Sequence, residues 1–201
     1  MKVTSITLAG GKSRRLGRSK VLETIDGKSL IGHVTERLRP LTNQLLIVTS
    51  QEQLDLPGTG KAEILADLYP GKGPLGGIYT GLLASRSSHS IAVACDMPFL
   101  NTELLRYMVA LSGDFDAVVP RLGEGMLEPL HAIYSKSCLD IMKTHLERGQ
   151  LEVYSFFSAV RVRYVERAEC QRLDPQLLSF FNIDYQSDLD RAIALAAKGK
   201  S

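Results

Sequence analysis

Short, uninterrupted apolar runs constrain the fold of this chain more than any other feature. Leu45-Leu46-Ile47-Val48 and Ile91-Ala92-Val93-Ala94-Cys95 carry no polar position on either side, so a strand built from them must be covered by helices on both faces. Val3 to Ala9 is a similar β-branched run, and Glu63-Ile64-Leu65-Ala66 and Phe115 to Val119 are shorter ones. Helix-period stretches lie between them. Leu30, Ile31, Val34 and Leu38 recur at helical spacing, as do Leu104, Leu105, Met108 and Leu111. Repeated alternation of strand and helix predicts a doubly wound, mostly parallel twisted sheet, an α/β/α sandwich of three Rossmann-like layers. At 201 residues and 44% hydrophobic content the chain can bury a sizeable core, and it reads as a single domain.

The punctuation between the runs agrees with that reading. Asp26-Gly27 is a turn, Pro40 stops the first helix, a crossover joins Val48 to Glu63, and a helix is expected from Leu75 to Ser85. Asn101 stands where an N-cap belongs, ahead of Thr102 and Glu103. From Gly123 onward the pattern changes. A strand-like Leu130 to Tyr134, a helix capped by Ser135 and running to Glu147, a helical patch through Phe157 and an alternating strand from Val160 to Val165 follow in order. Phe180-Phe181-Asn182-Ile183-Asp184 then leads into a closing helix from Ser187 to Ala197. An added antiparallel strand or hairpin is expected in this second part, with residues 1–120 and 121–201 dividing the work of the molecule.

Three strand ends carry the candidate chemistry. The first run passes into Gly10-Gly11 and then into Lys12, Arg14, Arg15, Arg18 and Lys20, with Gly17 among them. Glycines let backbone N–H groups approach oxygen atoms closely, and the cations offset several negative charges, so a polyphosphate suits this loop. The third run ends on Asp67 and a second glycine-rich loop, Pro70-Gly71-Lys72-Gly73-Pro74-Leu75-Gly76-Gly77. Cys95-Asp96-Met97-Pro98 places a carboxylate at the end of an apolar strand, where it can offer Mg²⁺ a hard oxygen ligand or cap the next helix. In doubly wound sheets ligands bind beyond the carboxyl ends of the strands. All three segments should therefore gather at one site.

Two familiar fingerprints are excluded. Gly71-Lys72-Gly73-Pro74-Leu75-Gly76 has the spacing of a dinucleotide-binding loop, yet it follows a later strand and Leu68, Tyr69 and Pro70 intervene. Gly11-Lys12-Ser13 matches the end of a Walker loop, but Ile6 occupies the position of its first glycine.

Leu8-Ala9-Gly10-Gly11-x-Ser13-x-Arg15-Leu16-Gly17-x-x-Lys20 resembles the N-terminal signature of the nucleotide-sugar-transferase-like nucleotidyltransferases, and in its Gly-Gly form the MobA family of molybdenum cofactor guanylyltransferases. Cytidylyl-transferring relatives more often carry Ala at Gly10. Asp67 with Gly73-Pro74-Leu75-Gly76-Gly77, Cys-Asp-x-Pro at Cys95 to Pro98, and Phe181-Asn182-Ile183-Asp184 extend the resemblance along the chain. It implies transfer of GMP from GTP to a molybdopterin-type cofactor. Leu8, Ala9, Gly10 and Gly11 would hold the nucleotide, Asp67, Gly73, Pro74 and Leu75 would enclose base and ribose, and Arg15 and Lys20 would stabilise the triphosphate. Asp96 would hold Mg²⁺, with Asn182 close to the metal, and transient contact with molybdoenzyme maturation proteins is implied as well. The chain departs from the family at Ser19, where an Asp is usual, at Thr49-Ser50, where Asn is frequent, and at Asp184, which replaces an Asn. A related cytidylyltransferase and a nucleotide-binding regulator of the same fold are the alternatives.

Composition narrows the partners. A net charge of +2 lacks the strong basic bias of a nucleic-acid binder. Cys95, Cys138 and Cys170 are odd in number and widely spaced, which argues against disulfides or a zinc site and for a reducing cytoplasm. No apolar run of about 18 residues predicts a membrane span. His131, in Glu128-Pro129-Leu130-His131, has no visible catalytic partner, and Arg161 and Arg163 alternate along a strand as a solvated face does.

Overall fold

The computed structural model describes residues 3–10, 20–56 and 58–198, with the backbone alone at Lys20 and Lys198. The described residues form the strands β1 (Val3–Leu8), β2 (Thr24–Ile25), β3 (Lys28–Ser29), β4 (Thr42–Thr49), β5 (Glu63–Ala66), β6 (His89–Ala94), β7 (Ala117–Gly123), β8 (Met126–Leu127), β9 (His131–Ser135) and β10 (Val162–Glu166). They also form the α-helices α1 (Leu30–Leu38), α2 (Gly73–Ala84), α3 (Thr102–Leu111), α4 (Leu139–Glu147), α5 (Arg167–Leu173) and α6 (Gln186–Lys198).

The main sheet runs in the order β10-β7-β9-β6-β1-β4-β5, with β8 against β7. Pairings β1–β4, β1–β6, β4–β5 and β7–β10 are parallel. Strand β9 is antiparallel to both β6 and β7, the added strand expected after Gly123. Helices α2 and α4 bury Leu75, Ile78, Leu82, Met142 and Leu146 on one face, against Ile6, Leu46 and Ala92. Helices α1, α3 and α5 bury Val34, Leu38, Leu104, Met108 and Cys170 on the other, against Val3, Ile91, Val93 and Ile133. The three layers follow, and the apolar runs are covered on both faces.

The turn chemistry is local. Asp26 and Gly27 both adopt positive φ, 52° and 75°, the left-handed pair that a tight two-residue hairpin needs between β2 and β3. Ser29 caps α1 by accepting from the Gly32 amide at 3.2 Å. Asn101 caps α3 by accepting from Glu103 and Leu104 at 2.9 and 3.0 Å, so Asp96 is not needed as the cap.

The crossover from β4 to β5 turns through Gly58 and Gly60 at φ 79° and 65°. Two elements differ from expectation. Strand β7 runs on through Pro120. Pairing with β9 stops at Val118, and on that side the Pro120 carbonyl accepts from the Glu128 amide at 3.0 Å, so the missing N–H interrupts no regular rung. Helix α5 was not foreseen; its N-terminus is a reciprocal capping box between Glu166 and Glu169, outside the usual Ser, Thr, Asp and Asn set. Arg161 and Arg163 are ion-paired to Asp116 and Glu169 at 3.2 and 2.6 Å. Among the described residues no helix is long and apolar enough to cross a membrane.

Helix α2 lies unusually close to β1. A Cβ at Gly81 would stand 2.4 Å from Ile6 Cγ2, and one at Gly77 would stand 2.9 Å from Leu8 Cδ2. Ile6 is β-branched and fully buried, so it cannot swing aside as the tip of Leu8 can. Gly81→Ala should therefore lower stability by about 1–3 kcal/mol, despite the helix propensity gained. Gly77→Ala should cost less, and urea denaturation of both variants checks the order.

Candidate active site

A cleft of about 510 Å³ opens at the carboxyl ends of β1, β4, β5 and β6. The chain leaves β1 toward β4 and β5 on one side and later returns to β6 on the other, so the cleft sits at the switch point of the sheet. Backbone hydrogen bonds carry the pairing one step past the strands. The amides of Ala9 and Cys95 donate to Val48 and Leu8 at 2.8 and 3.1 Å, and that of Asp67 donates to Thr49 at 2.8 Å. These rungs hold the three candidate segments in fixed register around one space.

Leu8, Ala9, Gly10, Asp67, Gly73, Pro74 and Asp96 all line the cleft. Leu75 does not: it is fully buried in the core between α2 and the sheet, one residue too far along the helix to face outward. Gly11 and Arg15 lie outside the described residues, as does the side chain of Lys20, whose backbone immediately precedes the cleft residue Val21. Thr49, Ser50, Pro70, Gly71 and Leu130 also line the cleft. Leu130 could not be placed from sequence, because the antiparallel return of β9 that brings it to Ala94 (N–H to carbonyl, 3.1 Å) is a tertiary event.

Gly10 is not demanded by the protein itself. A Cβ there would meet Ser50 N and Thr49 Cα at 3.9 Å, ordinary contacts, and its φ is not left-handed. What the missing side chain leaves open is the cleft.

Asp67 is held rigidly. Its Oδ1 accepts from the Tyr69 amide at 2.9 Å and from the Thr80 hydroxyl at 3.0 Å, while Thr80 Oγ1 accepts from the Leu68 amide at 3.0 Å. One carboxylate oxygen is thus tied to the loop before α2 and to the middle of that helix, and the other is left for the cleft. Thr80, seven residues into the helix, had no sequence signal. The adjoining N-terminus of α2 has no side-chain cap and carries Pro74 in its first turn, with Gly71 and Gly73 at φ 79° and 66°.

Asp96 follows β6, and the Ile183 amide donates to its carbonyl at 3.2 Å. That bond ties the closing segment to the end of β6, and Asn182, the preceding residue, is exposed and does not line the cleft. Among the described residues no group of three or more acidic, histidine or cysteine side chains could hold a metal. A single carboxylate at a strand end fits an ion that keeps several waters and takes its other ligands from substrate phosphates. It does not fit an all-protein cage. Among the described residues lining the cleft there are two carboxylates and no basic side chain, so an anionic ligand needs a cation or the 11–20 loop to offset them.

His131 faces away from this chemistry. It is fully buried, its ring lies 4.7 Å from that of Phe180, and neither ring nitrogen has a hydrogen-bond partner among the described residues. Burial pushes its imidazole down to about 4.

A cleft at the switch point of a mixed, mostly parallel sheet is where doubly wound α/β proteins bind their ligands. The family model for the MobA-like NTP transferase domain matches residues 5–163, and the chain belongs to that family. It is 34% identical over 200 residues to the molybdenum cofactor guanylyltransferase of Desulfosudis oleivorans, covering 98% of each chain. The crystal structure of molybdopterin-guanine dinucleotide biosynthesis protein A from Archaeoglobus fulgidus is 29% identical and superposes with a TM-score of 0.85, over 97% of this chain and 99% of that one. The 2-C-methyl-D-erythritol 4-phosphate cytidylyltransferase of Thermus thermophilus, 18% identical over 98% of this chain and 100% of that one, shares the fold at a TM-score of 0.71.

The His131 environment has a pH consequence. Its folded value of about 4 lies below the roughly 6.5 of an unfolded histidine, so the unfolded chain takes up the proton first as pH falls. Stability from this site is present above about pH 6.5 and is lost progressively down to about pH 4. Between pH 7 and 5 the loss should be about 1–2 kcal/mol in the wild type and absent from His131→Leu, measured by urea midpoints at the two pH values.

Proposed function

We propose that the protein transfers GMP from GTP to the terminal phosphate of a molybdopterin-type cofactor and releases pyrophosphate. The observation that carries this reading is the meeting of Leu8-Ala9-Gly10, the Asp67–Pro74 loop and Asp96 around one cleft, in a chain of the MobA-like family. The full-length likeness to a molybdenum cofactor guanylyltransferase supports the choice of substrates.

The reaction is an in-line displacement. A phosphate oxygen of the acceptor forms a bond to the α-phosphorus as the bond to the β-phosphate bridging oxygen breaks, and the electron pair leaves with pyrophosphate. An acceptor phosphate is already ionised near neutral pH, so positioning and charge compensation suffice without a general base. The backbone from Leu8 to Gly11 holds the nucleotide, the open oxygen of Asp67 and the Gly73-Pro74 turn enclose base and ribose, and Arg15 and Lys20 offset the triphosphate and the departing charge. Asp96 would hold Mg²⁺. Bound there, the ion neutralises phosphate charge that the two cleft carboxylates would otherwise repel. Residues 1–120 serve the nucleotide and 121–201 the acceptor, in a cytoplasmic protein that hands its product to molybdoenzyme maturation proteins.

Thr49 and Ser50, which line the cleft beside Gly10, favour keeping a cytidylyl donor in the test. Pyrophosphate release is measured with Mg²⁺, molybdopterin and each of the four NTPs. Release with GTP is expected; release with CTP and none with GTP overturns the assignment, and GTP binding without release points to a regulator. Asp96→Ala should lower kcat at least about a hundredfold with an unchanged melting temperature. Gly10→Ala should raise the KM for GTP about tenfold and leave stability unaltered, since its Cβ has room in the protein but occupies the cleft.

A further inference from the structure

The Thr80 hydroxyl stands between two competing acceptors. Thr80 is buried inside α2, and its Oγ1 accepts from the Leu68 amide at 3.0 Å while lying 3.0 Å from Asp67 Oδ1 and 2.9 Å from the Gly76 carbonyl. A hydroxyl carries one hydrogen, so it donates to one of those oxygens at a time. A threonine inside a helix ordinarily spends that hydrogen on the carbonyl four residues back, here Gly76. An ionised carboxylate is the stronger acceptor and draws the hydrogen to itself. Resting on the function proposed above, we propose that Thr80 is a positioning residue for the nucleotide: its hydroxyl holds the Asp67 carboxylate in the one orientation that turns Oδ2 into the cleft.

Placement comes first. Asp67 lines the cleft and Thr80 does not, so Thr80 reaches a ligand only through Asp67. Both hydrogen bonds to the carboxylate fall on Oδ1, from the Tyr69 amide at 2.9 Å and from Thr80, and Oδ2 has none among the described residues. Held this way, Asp67 offers a ligand one acceptor oxygen instead of a two-oxygen fork.

The two tethers differ in what they refer to. Tyr69 belongs to the same loop as Asp67, and its amide moves with that loop. A carboxylate held by one such amide keeps the broad, two-fold freedom of its last torsion. Thr80 comes from the middle of α2, which Gly77 and Gly81 seat tightly on β1, so its hydroxyl fixes the carboxylate relative to the sheet itself. Room for the contact is kept by Gly76. A Cβ there would stand 3.0 Å from both Tyr69 Cβ and the Tyr69 carbonyl oxygen and 3.4 Å from Asp67 Oδ1, and would hold the Asp67–Tyr69 turn away from the hydroxyl.

The bond to the Leu68 amide is a separate, purely structural one, and the test parts the two. Each NTP is titrated calorimetrically with Mg²⁺ into the full chain of the wild type, Thr80→Val, Thr80→Ser, Asp67→Ala and the Asp67→Ala, Thr80→Val double variant. For the nucleotide that binds tightest, Thr80→Val should weaken Kd about tenfold, and Thr80→Ser should restore it to within about threefold of the wild type. In the Asp67→Ala background Thr80→Val should change Kd by less than about twofold. Its melting temperature should fall in both backgrounds, because the Leu68 amide loses its acceptor in each; a structural role alone would move affinity and stability together. Thr80→Ala, which suits the helix and adds no apolar group against the carboxylate, is the second variant and should show the same dependence on Asp67. A loss of affinity that persists without Asp67, an unchanged Kd in folded Thr80→Val and Thr80→Ala, or binding of no NTP by the wild type each overturns the positioning role. Pyrophosphate release reads the proposed reaction separately: turnover with additive effects on Kd removes Thr80 and keeps the reaction, and dependence on Asp67 without turnover does the reverse.

Discussion

The structure depends on how closely α2 presses against β1. Two glycines, Gly77 and Gly81, remove the side chains that would otherwise separate helix from strand, and Ile6 and Leu8 fill the space. With the helix seated at that distance, its N-terminus ends beside the carboxyl end of β1, and the loop from Pro70 to Gly73 is drawn over the cleft. Parallel pairing of β1 with both β4 and β6 then aligns the neighbouring strand ends with it.

Rigidity is graded across the cleft. Asp67 is locked through Oδ1 by Tyr69 and Thr80, and Ala9 and Cys95 extend backbone ladders beyond their strands. Asp96 is tied to the closing segment by its carbonyl, which couples the last part of the chain to the first. Electrostatically the described lining is acidic.

Much of the fold was legible, for a physical reason. Apolar runs that must be hidden on both faces admit few architectures, and Asp26-Gly27, Ser135 and Asn101 mark boundaries through local chemistry that no tertiary contact need supply. Legibility failed where local rules were overruled or silent. Glu166 caps α5 through a reciprocal box that a search for Ser, Thr, Asp or Asn passes over. Pro120 lies inside a strand because its neighbour has already diverged. Leu75 reads as part of a binding loop and is buried by helical phase, since the helix begins at Gly73 and turns it inward.

The sequence by itself determined the layered sheet, the strand ends that carry glycines and carboxylates, and the kinship of the whole chain, because hydrophobic period and short motifs are local properties. Tertiary structure alone decided which of those residues share a space. Thr80 reaches Asp67 across thirteen positions because a helix turns back on its strand. Leu130 enters the cleft because β9 runs antiparallel between β6 and β7. Tyr154 and Glu152 come to stand beside Pro74, far away in the chain, through the packing of α2 and α4 on one face of the sheet. Such neighbours are set by burial summed over many contacts, and no local pattern in the chain encodes that sum.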